Sequence, residues 1–94
     1  MINEEFPLVS VVVPVYNTSA FLPKCVQSLM AQTYERIEYI FVNDASTDNS
    51  LQLLNQFKQD FPQRKLRIIS LEENGGLANA RNIGKKKATT SILK

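Results

Sequence analysis

The chain has 94 residues, 44% of them hydrophobic and 21% charged, which is the composition of one small globular domain and not of a disordered segment. It has no histidine and a single cysteine, Cys25, which excludes a Ser-His or Cys-His nucleophile pair, a structural zinc site and an internal disulfide. The net charge of +2 hides an asymmetry: residues 1–57 carry two basic and six acidic groups, residues 58–94 nine basic and three acidic. The basic half can steer an anionic ligand. Its clusters, Lys85-Lys86-Lys87 and Arg64-Lys65 with Arg67, read as solvated faces, and no interleaved aromatic residues make a stacking platform for nucleic acid.

Leu8 to Val15 is β-branched and nearly continuous in apolar character, as in a strand covered on both faces. Ser10 and Pro14 interrupt it far short of the roughly 20 residues of a membrane span. The acidic start, Met1 to Glu5, does not resemble a signal peptide, so a soluble cytoplasmic protein is expected. Tyr16 to Ser19 reads as a turn, with Thr18 or Ser19 capping a helix that tolerates Pro23 and runs to about Gln32. Cys25 is expected in the core with Leu22, Val26 and Leu29.

Ile37 to Val42 reads as a second strand and Asn43 to Asp48 as a polar loop. Thr47 or Asp48 is placed to cap a helix with Leu51, Leu54, Phe57 and Phe61 on one face, ended by Pro62. Leu66 to Leu71 reads as a third strand, Asn74-Gly75-Gly76 as a loop, and Leu77 to about Ala88 as a third helix with Gly84 as its weak point. Ser91-Ile92-Leu93 starts a fourth strand. The order β-α-β-α-β-α implies an α/β fold, a Rossmann-like parallel sheet with alternating helices. Residues 1–94 read as the N-terminal part of a larger domain.

Ligands of open α/β sheets sit beyond the carboxyl ends of the strands, where the three polar loops fall. Neither a G-x-G-x-x-G after the first strand nor a P-loop is present. Asp44, ending an apolar strand, can accept the N–H of a uracil or a ribose hydroxyl, or can make an Asx turn serving Ser46 and Thr47. Tyr16 can stack on a flat base or simply end a strand. Gly75-Gly76 can admit a phosphate or only turn the chain, and Arg81 can neutralise a phosphate or one of the protein's own carboxylates.

Three segments together carry a likeness: Val9 to Asn17, Phe41 to Ser50 with its V-N-D-A-S-T-D core, and Glu73 to Gly84 with N-G-G-L-A-N-A-R-N-I-G. Over Leu8 to Ala88 the chain resembles the inverting, nucleotide-sugar-dependent glycosyltransferases of family 2. The resemblance implies transfer of a sugar, from UDP-sugar by preference, to an acceptor hydroxyl. It matches Asp44 to base recognition, Pro14-Val15-Tyr16 to the wall beside the base, Asp48 to a structural position at the pocket mouth, and Gly76 and Arg81 to the pocket lining. Asn17 and Ser46 complete the nucleotide-binding set. Asn43 and Ala45 depart from the family's aspartate and glycine, and the alanine implies that a positive φ is not needed there.

The family's metal-binding D-x-D and catalytic base correspond to positions beyond Lys94. No catalytic residue or metal ligand is expected in these residues, which alone are expected to lack transferase activity. The whole enzyme is expected to need a divalent cation, Mg or Mn, to hold the leaving diphosphate. Expected partners are the nucleotide-sugar donor and a carbohydrate or lipid-linked acceptor, as in polysaccharide synthesis. Nucleic acid is not expected. Peripheral docking at the inner membrane face and a dimer covering the open sheet edge are compatible with the sequence. The alternative is a non-catalytic nucleotide-binding module. A nicotinamide enzyme lacks its glycine fingerprint here, and a receiver-like domain its acidic pair after the first strand.

Overall fold

A computed structural model describes residues 7–89. The valine-rich first segment is strand β1 (Val9–Val15), followed by α1 (Leu22–Met30), β2 (Ile37–Asn43), α2 (Ser50–Asp60), β3 (Lys65–Ser70) and α3 (Leu77–Lys87). The strands form one parallel sheet in the order β1-β2-β3, with Val9 opposite Ile37 and Glu38 opposite Lys65. The expected fourth strand lies outside the described residues. Among the described residues β1 is therefore a sheet edge. No described helix is long and apolar enough to cross a membrane.

Period-two alternation divides the core between the two faces of the sheet. Tyr39 and Phe41 of β2 point to the face covered by α1 and α2, where they meet Val15, Leu22, Val26, Met30, Leu54 and Leu66. Ile40 and Val42 point to the other face, where Ala80 of α3 packs with Val12, Ile69 and Leu71. This makes a three-layer α/β/α arrangement with β2 buried at its centre. In α2, Leu53 joins Leu54, Phe57 and Phe61 against the core in the place expected for Leu51.

Several local expectations are corrected. Cys25 is exposed, not core. It borders an open hollow of about 170 Å3 with Val13, Phe21 and Leu22, beside the β1 edge that no described element covers. Neither Thr18 nor Ser19 caps α1. The N-cap is Phe21, and the Thr18 carbonyl accepts the amides of Phe21 and Leu22 at 2.9 and 3.0 Å. The α2 N-cap is Asn49, without a side-chain hydrogen bond, while Asp48 one position earlier accepts the Ser50 amide at 2.9 Å.

Gly84 is not a weak point but a contact. A Cβ there would lie 2.3 Å from Cγ1 of Val12, so the missing side chain lets α3 press against β1. Helix propensity alone predicts that Gly84→Ala stabilises the protein by about 1 kcal/mol. The stiff, β-branched Val12 reverses the sign. A loss of about 1–3 kcal/mol by overpacking is expected in urea unfolding.

Glu38 is the other feature that fixes α3. It is fully buried at the amino end of β2 and accepts Ser10 Oγ at 2.8 Å, Thr89 N at 3.0 Å, Thr89 Oγ at 2.9 Å and Arg67 Nη1 at 3.0 Å. Lys65 approaches to 3.9 Å. Burial acts to raise its pKa, but these donors outweigh it and hold the carboxyl down at about 2, against an ordinary 4.5. Between those values the unfolded chain binds more protons than the folded one. The network's contribution is therefore complete above about pH 4.5 and lost as the pH falls toward 2. Thermal melts across that window are expected to show the loss, and Glu38→Gln to reduce it, the remainder coming from Asp48.

Candidate nucleotide cleft

The loops after the three strands meet at the carboxyl end of the sheet. Tyr16 follows β1 directly, and the Asp44 amide donates to the Val15 carbonyl at 2.8 Å, which keeps the first two loops side by side. Asn17 then laces them together. Its backbone takes φ 49°, a region that asparagine tolerates better than most residues. Its side-chain oxygen accepts the Thr47 amide at 2.8 Å, the Asp48 amide at 3.3 Å and the Thr47 hydroxyl at 3.3 Å. Its own amide donates to Ser46 Oγ at 3.1 Å.

Asp48 closes the same junction, accepting Ser19 N at 3.1 Å with one oxygen and Ser50 N with the other. Its carboxyl is held at about 2, against an ordinary 3.8: the neighbouring Ser50 hydroxyl acts most strongly, burial opposes it, and the Ser50 and Ser19 amides add to the lowering. The Ser50 hydroxyl itself misses hydrogen-bonding geometry. It is the one buried side-chain polar atom among the described residues without a hydrogen-bond partner, so it acts on Asp48 by proximity while the two amides make the hydrogen bonds.

The second loop needs a positive φ at one position, contrary to the expectation for Ala45. Ala45 has φ 58°, a conformation that costs a non-glycine residue roughly 1 kcal/mol or more. Asn43 makes the bend possible: its oxygen accepts Ser46 N at 3.3 Å and its amide donates to Ser70 Oγ at 3.2 Å, tying the second loop to β3.

Asp44 is only 3% exposed, yet it serves neither Ser46 nor Thr47. Its two oxygens accept Gly75 N at 2.9 Å and Gly76 N at 3.0 Å. Asn74 also accepts Gly76 N at 3.0 Å, and Gly76 itself has φ 91°. The carboxylate thus holds the glycine turn at the head of α3. A carboxylate has about four lone-pair sites, so two remain for a donor in the cleft.

The cleft above Asp44 has a volume of about 390 Å3 and is lined by Pro14, Val15, Tyr16, Thr18, Asn74, Gly76, Leu77 and Ala80 with Asp44. Tyr16 and Leu77 are 47% and 58% exposed, large apolar groups facing open space at its rim. Of the expected residues, Pro14, Val15, Tyr16, Asp44 and Gly76 line the cleft, while Asn17, Ser46 and Asp48 build the loops around it. Arg81 does neither: it is exposed on α3, outside the lining, and makes no ion pair with a described residue. Thr18, Leu77 and Ala80 are lining residues that the sequence did not single out, because their patterns read as cap and helix face.

A larger cavity of about 450 Å3 opens at the other end of β1 among Val9, Val11, Leu29, Tyr34, Ile37 and Tyr39. Both tyrosine hydroxyls there already donate to backbone carbonyls, of Pro7 and Leu29, so it offers little polar recognition. No three acidic, cysteine or histidine side chains cluster among the described residues. Among the described residues Asp44 is the only carboxylate lining the cleft, and each of its oxygens holds an amide. The described residues therefore do not fit a divalent cation.

The chain is similar to several known proteins. It is 44% identical over 77 residues to the glycosyltransferase GlyG of Streptococcus pneumoniae, covering 82% of this chain and 25% of that protein. It is 43% identical over 88 residues to the uncharacterised glycosyltransferase EpsJ of Bacillus subtilis, covering 93% and 24%. Among solved structures it resembles the mannosyltransferase PcManGT of Pyrobaculum calidifontis, in complex with GDP-Man and Mn2+, with TM-score 0.88, 28% identity and coverage of 93% and 26%. It also resembles residues 1–349 of Staphylococcus aureus TarS in complex with UDP, with TM-score 0.81, 31% identity and the same coverage. The chain thus spans about a quarter of the length of the relatives it matches. The family model for glycosyl transferase family 2 matches residues 10–93, nearly the whole chain, and with the parallel sheet and the cleft at its carboxyl end this places the chain in that family.

Proposed function

We propose that these residues bind the nucleotide of a nucleotide-sugar donor and form the donor-binding part of a glycosyltransferase catalytic domain. The observation that carries this reading is Asp44 in the lining of the cleft, a buried acceptor-only group that shares it with the exposed ring of Tyr16. A base that offers a ring N–H fits such a group, and its flat face fits the tyrosine. Uracil and guanine carry that N–H. Adenine and cytosine present a bare ring nitrogen and are disfavoured. UDP is the preferred ligand in this reading, and the similar structures' complexes with UDP and GDP-Man support a donor with one of these two bases.

In the whole enzyme the donor sugar would be transferred to an acceptor hydroxyl with inversion. The acceptor would be carbohydrate or lipid-linked, met at the inner face of a membrane. The residues here bind and orient the donor, and the divalent cation and the catalytic base are assigned to chain outside them. On that assignment these residues alone turn over no UDP-sugar. The test is calorimetric titration with UDP, GDP, CDP and ADP. UDP or GDP is expected to bind at least about tenfold tighter than CDP and ADP, the effect of one matched buried acceptor. Equal binding of all four, or of none, would sink the reading.

A further inference from the structure

We propose that Glu38 is a positioning residue for the nucleotide cleft, acting through α3 from the opposite end of the sheet. The inference rests on the proposed function for its ligand, though not for its structural readout.

Both ends of α3 are held by acids of one strand. At the head of the helix, Asp44, just past β2, accepts the Gly75 and Gly76 amides. At its tail, Glu38, near the start of β2, accepts the amide and hydroxyl of Thr89. Arg67 adds a second tie at the tail, donating to both Glu38 and the Lys87 carbonyl. Between the two clamps, Gly84 rests on Val12 with no room for even a Cβ.

A helix behaves over this length as a stiff rod. Fixed at both ends and touching the sheet in its middle, α3 has one seating. If the tail clamp opens, the rod can rock about the Gly84–Val12 contact, and its head moves in the opposite sense. The head carries Gly76, Leu77 and Ala80, which line the cleft. The Glu38 carboxylate is buried and charged, so its clamp is broken at a cost and does not slip gradually. No part of this network touches the cleft, and the lining on the α3 side depends on it.

The experiment compares wild type with Glu38→Ala, Glu38→Gln and Thr89→Val, each at a temperature where circular dichroism shows it folded. Amide hydrogen exchange is read at Gly75 and Gly76, and UDP affinity by calorimetry. Glu38→Ala is expected to speed exchange at both glycines about fivefold and to weaken UDP about fivefold, a coupling typical of residues that link sites without touching ligand. Glu38→Gln, which keeps an acceptor for Thr89, is expected to recover part of both. Thr89→Val is expected to shift both in the same direction by less. A merely local role predicts faster exchange confined to Lys87 through Thr89, with Gly75, Gly76 and UDP affinity unchanged, and that result overturns the proposal. If Glu38→Ala does not fold, the other two variants decide it by the same criterion. Failure of the wild type to bind UDP would remove the proposed function, while glycine exchange would still decide the clamp.

Discussion

Asp44→Ala is expected to reduce UDP affinity by about 100-fold or more and, in the same protein, to lower stability by about 1–3 kcal/mol. The affinity term is the loss of a charged acceptor beneath the base together with a disordered glycine turn. The stability term comes chiefly from the Gly75 amide, left without its acceptor, while the Gly76 amide loses one acceptor and keeps Asn74, at roughly 1–3 kcal/mol in all. Read from sequence, the two roles of Asp44, ligand acceptor and local cap, stand as rivals to be separated by this substitution. The geometry shows that a structural duty and an open face belong to the same carboxylate, so alanine cannot separate them. Asp44→Asn can. One amide oxygen can still hold a glycine N–H, while the NH2 group is a donor where an acceptor is needed. It is expected to lose less stability than alanine and to erase the preference for UDP over CDP. Calorimetric titration with both nucleotides, beside urea unfolding, measures the two terms separately. A variant that keeps UDP selectivity would remove Asp44 from base recognition.

The second large effect is expected at Asn17. Asn17→Ala removes an acceptor shared by the Thr47 amide, the Asp48 amide and the Thr47 hydroxyl, and it puts alanine at φ 49°. The hydrogen bonds are exposed, so their loss is worth about 1–2 kcal/mol, with about 1 kcal/mol more for the left-handed backbone. UDP affinity is expected to fall about tenfold, because the first two loops carry Tyr16 and Asp44 and are then held only by the Asp44–Val15, Asn17–Ser46 and Ser19–Asp48 bonds. Asn17→Gly removes the same side chain without the strain. Its stability should lie about 1 kcal/mol above that of the alanine variant, with the same affinity loss. Equal stabilities would show that the backbone at this position relaxes.

All six described elements were legible in the sequence because their signals are strong and local. β-branched runs marked β1, β2 and β3, and apolar spacing with Pro62 and Gly75-Gly76 as stops marked α2 and α3. What failed to show were properties set by a second element. Cys25 has core spacing on α1, yet it is exposed, beside a β1 edge that no described element covers. Gly84 looks like a propensity defect until Val12 is seen beneath it. Ala45 is the reverse case, since the tie of Asn43 to Ser46 imposes a bend that alanine itself disfavours. Within the site, the loop positions were readable because short polar residues at strand ends have few other uses. Arg81 was carried by motif alone, and the structure leaves it outside the cleft. Glu38 was missed although a trace existed: one acid in the apolar run Ile37 to Val42, with Lys65 and Arg67 spaced two apart in β3.

The two-ended hold on α3 is also a matching of lengths. Six residue steps separate Glu38 from Asp44, about 20 Å at the rise of a strand. Between Gly76 and Thr89 lie the 11 residues of α3, about 16 Å at the rise of a helix, and the extended Ala88, which supplies most of the rest. The strand is a ruler against which the helix is cut. Deleting one residue between Leu77 and Gly84 would shorten the helix by about 1.5 Å and turn everything beyond the cut by about 100°, taking Gly84 off Val12 and Thr89 off Glu38 together. The connection of residues 31–36 is not clamped at two fixed points in this way, so an insertion there is expected to cost less than one between the two acids. In this part of the fold, residue number constrains the chain more tightly than residue type.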